Sequence, residues 1–273
     1  MISEIQQKIL SILIKNRGEI SNKELQKSLE MGLSTLYTYL DELSGMCVKR
    51  KWGGIEIASH SPDGFKSAFQ EKLKTERKEK EELASFVVSS GYLKHGDITL
   101  MDCGTTNYII AESMVEHQLK GLDIITVNPY VLTELMKYPD VGKVNIVGGM
   151  LNWSDGSIFG PQTVESLERI AEIGTVILGV DAIDKEGEIG INDPLETDQK
   201  KIMIKKAKRI LIPITPNKLD RAVSYSIGNL LHLLIEKNVV IVLPGKSADI
   251  NESTRTVINK LGTERFVFTG SAK

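Results

Sequence analysis

Cysteine is nearly absent from this sequence: Cys47 and Cys103 are the only two among 273 residues. Two cysteines build no disulfide framework, and neither sits at metal-ligand spacing from a cluster of histidines or carboxylates. The four histidines, His60, His95, His117 and His232, are scattered. No metal site is expected. Aromatic residues make up only 5% of the chain, and Trp52, Trp153 and Tyr92 read as packing residues. An excess of charge of one sign is missing as well. Lys and Arg number 34 against 36 Asp and Glu, a net charge of −2. The chain as a whole is therefore no strongly basic polyanion binder. No apolar run approaches the ~18 residues of a membrane span, so no membrane partner is expected. Met1-Ile2-Ser3-Glu4-Ile5 offers no basic region followed by an apolar core. That argues against a secretory signal and for a cytoplasmic protein.

What is present is an ordinary globular composition, 41% hydrophobic and 26% charged. It excludes a disordered or collagen-like chain, and the length admits one large domain or two of ordinary size. Ser59-His60-Ser61-Pro62-Asp63-Gly64 is turn chemistry and marks a boundary. The charge-rich stretch 65–83 that follows, with i,i+4 pairs such as Glu76/Lys80, reads as an exposed connecting helix. Three helical patterns precede the boundary. Ile2, Ile5, Ile9 and Leu13 keep helical spacing. Ser21-Asn22-Lys23-Glu24 matches a capping box, with Leu25 and Leu29 as the apolar face behind it. After a turn at Met31-Gly32-Leu33, a third helix from about Ser34 carries Leu36, Leu40 and Leu43 on one face. Gly53-Gly54 then joins two strand-like runs, 48–52 and 55–58, as a hairpin turn. Three short helices and a hairpin outline a winged helix-turn-helix, a DNA-binding plan. A helical mini-domain without that function shares the outline.

From Asp97 onward, strands alternate with helices. Strands are expected at 98–102, 123–127, 144–147, 175–180, 210–214 and 239–243, and helices at 107–117, 130–136, 162–171 and 197–207. The alternation predicts an α/β domain with a mainly parallel sheet covered on both faces. Ligands bind beyond the carboxyl ends of such strands. Asp102-Cys103-Gly104-Thr105-Thr106-Asn107 follows one strand and opens a helix. Gly104 admits close backbone approach, and Thr105 and Thr106 sit where a helix start favours an anion. An ordinary strand-to-helix turn has the same form. Asn128, Gly148 with Gly149, Asp181, and Lys218 stand at equivalent strand ends. Glu196 and Lys200 lie four apart on a helix. They read either as an exposed ion pair worth only ~0.3–0.5 kcal/mol, or as a lysine meeting a ligand anion beside an orienting carboxylate. Asp102, Asp181 and Glu196 are the carboxylates that could act as a general base. The GxGxxG fingerprint is absent after every expected strand, and no cofactor is expected.

These residues together resemble the DeoR family of bacterial regulators of sugar metabolism. The likeness runs along nearly the whole chain. Its strongest parts are Leu100 to Thr106, Thr126-Val127-Asn128, Val147-Gly148-Gly149, Gly179-Val180-Asp181, and Glu196 with Lys200 and Met203, in the family's order. The resemblance implies a sensor fold similar to ribose-5-phosphate isomerase and a phosphorylated sugar or related metabolite as effector. It also implies operator DNA as partner, a role that is usually repression of a carbohydrate operon, and assembly into homodimers or homotetramers. On this reading residues 1–58 bind DNA, 59–82 connect, and 83–273 sense the effector and oligomerise. The family's recognition helix typically reads Thr-Ile-Arg-Arg-Asp-Leu; here the stretch is Thr35-Leu36-Tyr37-Thr38-Tyr39-Leu40. Phosphate anchoring then falls on Lys49, Arg50 and Lys51 of the hairpin, with Ser34, Thr35, Tyr37 and Thr38 facing the bases. The effector residues are Asp102, Gly104, Thr105, Thr106, Asn128, Gly148, Gly149, Asp181, Glu196, Lys200 and Lys218. Two other functions fit parts of the pattern: a sugar-phosphate isomerase or aminosugar-phosphate deaminase, and a regulator that acts through a protein partner without DNA.

Overall fold

The computed structural model describes residues 3–16, 19–44, 48–51, 53–57, 69–152 and 156–270. Ile2, Cys47, Trp52, Ala58, the turn sequence at 59–64, the stretch 65–68 and Trp153 lie outside the described residues. The chain divides into two compact units, Met1–Ala68 and Phe69–Lys273.

In the first unit, α1 (Glu4–Lys15), α2 (Asn22–Leu29) and α3 (Leu33–Ser44) pack against a small antiparallel sheet. Its strands are β1 (Glu19–Ser21), β2 (Val48–Lys51) and β3 (Gly54–Ile57), in the order β1-β3-β2. The helical spacing places Ile9, Leu13, Leu25, Leu36, Leu40 and Leu43 inward, and Ile55 of β3 completes the core. β1 has no visible sequence pattern, since three residues carry too little alternation. It separates the roles of the two hairpin glycines. Gly53 takes the turn at φ 79. A Cβ on Gly54 would lie 2.6 Å from the Ile20 carbonyl, so the second glycine lets β3 approach β1. The capping box forms as expected: Ser21 Oγ accepts from the Glu24 amide at 3.2 Å, and Glu24 Oε2 accepts from the Ser21 amide at 3.3 Å.

In the second unit, seven strands make one wholly parallel sheet. They are β4 (Ile98–Met101), β5 (Leu122–Thr126), β6 (Gly142–Ile146), β9 (Ile173–Ile177), β12 (Ala207–Pro213), β14 (Asn238–Leu243) and β15 (Phe266–Phe268). Their order is β15-β14-β12-β9-β4-β5-β6. One face is covered by α4 (Arg77–Ser89), α5 (Thr105–Glu116) and α6 (Pro129–Leu135), through Val87, Ile110, Met114 and Leu135 against Met101, Ile177 and Leu211. The other is covered by α7 (Pro161–Glu168), α8 (Thr197–Lys206), α9 (Leu230–Glu236) and α10 (Glu252–Leu261) against Leu100, Val176, Ile210 and Ile212. Successive residues of each central strand thus enter opposite cores, which is why these strands read as unbroken apolar runs. Two smaller pieces flank the sheet: the hairpin β7 (Met150–Leu151) and β8 (Ile158–Phe159), and an antiparallel trio of β10 (Ala182–Ile183), β11 (Glu188–Ile191) and β13 (Tyr225–Asn229).

One expectation is corrected. Residues 65–83 do not form one exposed connecting helix. The chain is helical over 69–74 and again along α4, and Phe69, Lys80, Leu83, Ala84 and Val87 are buried. Charged residues dominate the stretch, but Leu73 packs against the same core as Ala84, Val87 and Val88 of α4, and Phe69 packs against Tyr108 of α5. Within the described residues no helix is long and apolar enough to cross a membrane, and no group of His, Cys, Asp and Glu is placed to hold a metal ion.

The capping box supports a first prediction. Ser21→Ala removes the hydroxyl that accepts from the Glu24 amide while leaving the Ser21 amide to donate to Glu24, and should lower the stability of the first unit by about 1 kcal/mol in urea unfolding.

Candidate functional site

The carboxyl ends of β4, β5, β9 and β12 meet on one edge of the parallel sheet. Beyond Met101 the chain passes through Asp102 and Cys103 to Gly104, which precedes α5 with φ 98 and ψ 162. Glycine is needed there, since side chains rarely adopt that backbone conformation. No side chain caps this helix. Its first amides, at Thr105 and Thr106, receive no side-chain cap and lie at the positive end of the helix dipole. Asn128 ties the neighbouring strand end to the same loop. Its Oδ1 accepts from the Tyr130 amide at 2.9 Å, and its Nδ2 donates to the Gly104 carbonyl at 3.2 Å.

Beneath the loop lies a buried ionic network. Lys200 of α8 is 1% exposed. Its ammonium is bonded to Asp102 Oδ2, and also donates to the Gly179 carbonyl at 3.0 Å and to Cys103 Sγ at 3.4 Å. Glu196 Oε2 stands 3.4 Å from the same ammonium and accepts from the Cys103 thiol at 3.2 Å. The Gly179 amide donates to Asp102 Oδ2 at 2.9 Å. Burial alone would lower the Lys200 pKa, but Asp102, Cys103 and Glu196 outweigh it and hold the group well above the usual range. Burial likewise pushes Glu196 up, while the Lys200 charge and hydrogen bonds with Ser157, Cys103 and Lys200 hold it below the ordinary glutamate value. Three buried oxygens in and beside this network, Asp102 Oδ1, Asn107 Oδ1 and Glu196 Oε1, have no hydrogen-bond partner among the described residues.

The exposed-pair reading of Glu196 and Lys200 is thereby corrected: both are buried, because β4 and β9 cover the face of α8 that carries Lys200. The other strand-end residues are distributed less evenly. Half-buried Lys218 lies after β12 and donates to the Val180 carbonyl at 2.7 Å. Asp181, after β9, is exposed; its Oδ2 accepts from the Asn192 amide at 2.8 Å. Gly148 and Gly149 serve the edge of the sheet. Thr163 Oγ1 of α7 donates to the Gly148 carbonyl at 2.9 Å, and a Cβ on Gly149 would lie 2.1 Å from the same hydroxyl. The sequence reading missed Cys103, Asn107, Ser157 and Gly179 as members of the site. Cys103 and Asn107 lie inside the loop already singled out, and Gly179 close to Asp181; only Ser157 has no signal.

In the first unit, Ser34, Thr35 and Thr38 are exposed on α3. The Thr38 hydroxyl donates to the Ser34 carbonyl at 3.2 Å. Tyr37 is half-buried against the core, and its hydroxyl accepts from Asn22 Nδ2 at 3.5 Å. Lys49, Arg50 and Lys51 occupy β2, in register with Glu56, Ile55 and Gly54 of β3.

Comparison with known proteins bears on both units. A family profile described as the DeoR C terminal sensor domain matches residues 75–235, and one for a winged helix-turn-helix DNA-binding domain matches residues 2–44. The chain is similar to the glycerol-3-phosphate regulon repressor of Escherichia coli, 26% identical over 219 residues that cover 80% of this chain and 83% of that protein. It is similar to the transcriptional repressor CsqR of Escherichia coli, 25% identical, covering 81% of each chain. The L-fucose operon activator of Escherichia coli is 22% identical, covering 82% of this chain and 90% of that one. Among solved structures, ribose 5-phosphate isomerase A of Neisseria gonorrhoeae aligns with 12% identity over 51% of this chain and 54% of that one, at a TM-score of 0.35.

The buried network gives a second prediction. An exposed pair would tolerate loss of its lysine. Here Lys200→Met leaves Asp102 buried and unpaired, and should cost about 3–5 kcal/mol in denaturant unfolding. Asp102→Asn added to Lys200→Met should recover part of that loss; a strictly additive double variant would show that the two groups are not coupled.

Proposed function

The chain belongs to the DeoR family of helix-turn-helix transcriptional regulators, and from that premise we propose that it represses an operon of sugar or carbohydrate metabolism until a phosphorylated sugar or related metabolite binds. Residues 1–58 engage operator DNA. The unit from Phe69 onward senses the effector and assembles the protein into dimers or tetramers in the cytoplasm. The observation that carries the effector reading is the start of α5: a positive-φ glycine at the carboxyl end of a central strand, with no side-chain cap on the helix it opens. Backbone amides and helix dipole there favour a phosphate. Lys218 supplies a cation at the next strand end but one, and Asn128 holds the loop in place. Lys200 acts differently from a ligand contact. Its ammonium is already surrounded, so it shapes the floor of the site by binding Asp102 and Glu196. The same network argues for a sensor that does not turn its ligand over, because its charged groups are committed to one another. Relatives named for a glycerol-3-phosphate regulon and an L-fucose operon support a small sugar or polyol phosphate as the effector class.

Thr106→Asp tests the phosphate seat without damaging the fold. A carboxylate in the first turn stabilises a helix by roughly 0.3–1 kcal/mol, yet occupies and repels at the phosphate position. The variant should keep or raise its melting temperature while losing phosphosugar binding in calorimetry. Unchanged binding would place the site elsewhere.

On DNA, the proposal assigns phosphate anchoring to Lys49, Arg50 and Lys51, and base contact to Ser34, Thr35, Tyr37 and Thr38. α3 itself carries no lysine or arginine. Arg50→Glu with Lys51→Glu should weaken binding to every DNA sequence and flatten the log–log salt slope by ~0.9 for each phosphate that the protein ceases to neutralise. Tyr37→Ala should change sequence preference instead. An operator footprint and salt slope unaffected by the hairpin reversal would overturn this mode of docking.

A further inference from the structure

We propose that residues 69–76 form a strap across the mouth of the effector site, that Lys72 on it adds a cation to the site, and that a bound anion holds the strap down. The inference rests on the effector-site reading above and goes beyond it in naming the segment that senses occupancy.

Two anchors hold this segment. At one end Phe69, 2% exposed, stacks on Tyr130 with ring centroids 3.8 Å apart and planes 15° apart. It also meets Tyr108 edge-on at 5.7 Å and 81°. Tyr108 lies in the first turn of α5, just past Gly104-Thr105, and Tyr130 follows Asn128-Pro129 at the start of α6. Phe69 is therefore seated on the two helix starts that border the site. At the other end Lys80 of α4, 6% exposed, donates to the Lys72 carbonyl at 2.6 Å and to the Thr75 carbonyl at 2.7 Å. Its ammonium caps the end of the 69–74 helix. Between the anchors Glu76 takes φ 53 and ψ 36, a left-handed conformation uncommon for glutamate, where the chain turns into α4.

Electrostatics link the segment to the far strand end. Burial first, then the Lys218 charge, brings the Lys80 pKa down to about 8. Burial also lowers Lys218; Lys200 and Lys72 add to the depression, and Asp181 and Glu76 oppose it. The segment itself runs from its seat on Tyr108 and Tyr130, at the helix starts beyond β4 and β5, to the carbonyls held by Lys80. Lys72 on the strap and Lys80 at its anchor on α4 both interact with Lys218 of the site as like charges, offset by Glu76 and Asp181. An anion placed among them removes the repulsion between strap and site. A ligand shifts an equilibrium only by its differential affinity for the two states, and Lys72 supplies that difference, since it adds to anion binding only when the strap is seated. Phe69 directly follows Ala68, the last residue of the first unit. Occupancy of the site is thereby passed into the chain that leads to the DNA-reading unit.

The test uses the full-length protein, with inorganic phosphate as probe and chloride at matched ionic strength as control. Calorimetry reads binding, and amide hydrogen exchange reads the strap. Phosphate should slow exchange across 69–76 by about tenfold or more, as local opening becomes rarer. Lys72→Gln, at an exposed position, should weaken phosphate binding severalfold and abolish the slowing. Phe69→Leu should leave 69–76 in fast exchange with or without phosphate. Phosphate binding with unchanged exchange over 69–76, or Lys72→Gln without effect, overturns the strap and leaves the effector site standing. Failure of the wild-type protein to bind phosphate overturns both.

Discussion

A lysine ammonium placed among Asp102, Glu196, Cys103 and the Gly179 carbonyl is the interaction on which the carboxyl edge of the sheet depends. An isolated charge at that depth would be too costly to keep, and a lone pair of carboxylates would repel one another. The ammonium offsets the carboxylates on either side of it, and each element that contributes a group is tied to the others. β4 brings Asp102, β9 brings Gly179, and the turn before α8 brings Glu196. Gly179 must be glycine for this to close, since a Cβ would lie 2.8 Å from the Cys103 carbonyl.

That closure decides what lies above it. With Asp102 held down by Lys200, the chain has two residues, Cys103 and Gly104, in which to climb from Asp102 to the start of α5. Gly104 makes the bend, and Asn128 braces it from the adjacent strand end. The amides of Thr105 and Thr106 open α5 without a side-chain cap. Floor and rim have different electrostatics. The floor holds one ammonium between two carboxylates, whereas the rim keeps an uncapped helix start and Lys218. On the proposed reading, a phosphate meets the amides and Lys218 at the rim.

The DNA-reading unit works under a different constraint. Residues 1–60 carry a net charge of only +1, and α3 has no basic side chain. Lys49, Arg50 and Lys51 on β2 are three of the eight basic residues in that stretch, and in the proposed docking they carry the attraction to the duplex. A weak head gains useful affinity when tethered to a second one, through effective concentration. In the proposed dimer or tetramer, DNA binding would depend on how firmly the heads are held, which is the quantity a sensor domain can change.

The sequence by itself determined the elements. Alternating apolar runs and helices specify a parallel sheet, because strands buried on both faces must be apolar throughout. Ser21 and Glu24 specify a helix start, because their bonds close within four residues. The Gly104-Thr105-Thr106 turn was legible for the same reason: strand, glycine and helix are contiguous. Tertiary structure alone decided the environment of Glu196 and Lys200. Their spacing says that they share a helix face, and nothing about what covers it. The cover is Asp102, 98 positions away from Lys200 along the chain. Likewise, the charges of residues 69–83 read as solvated, yet Phe69 finds its seat on Tyr108 and Tyr130, and Lys80 finds carbonyls. Local pattern reports hydrogen bonds and periodicity within a few residues. Desolvation, and the partners that compensate for it, belong to the assembled fold.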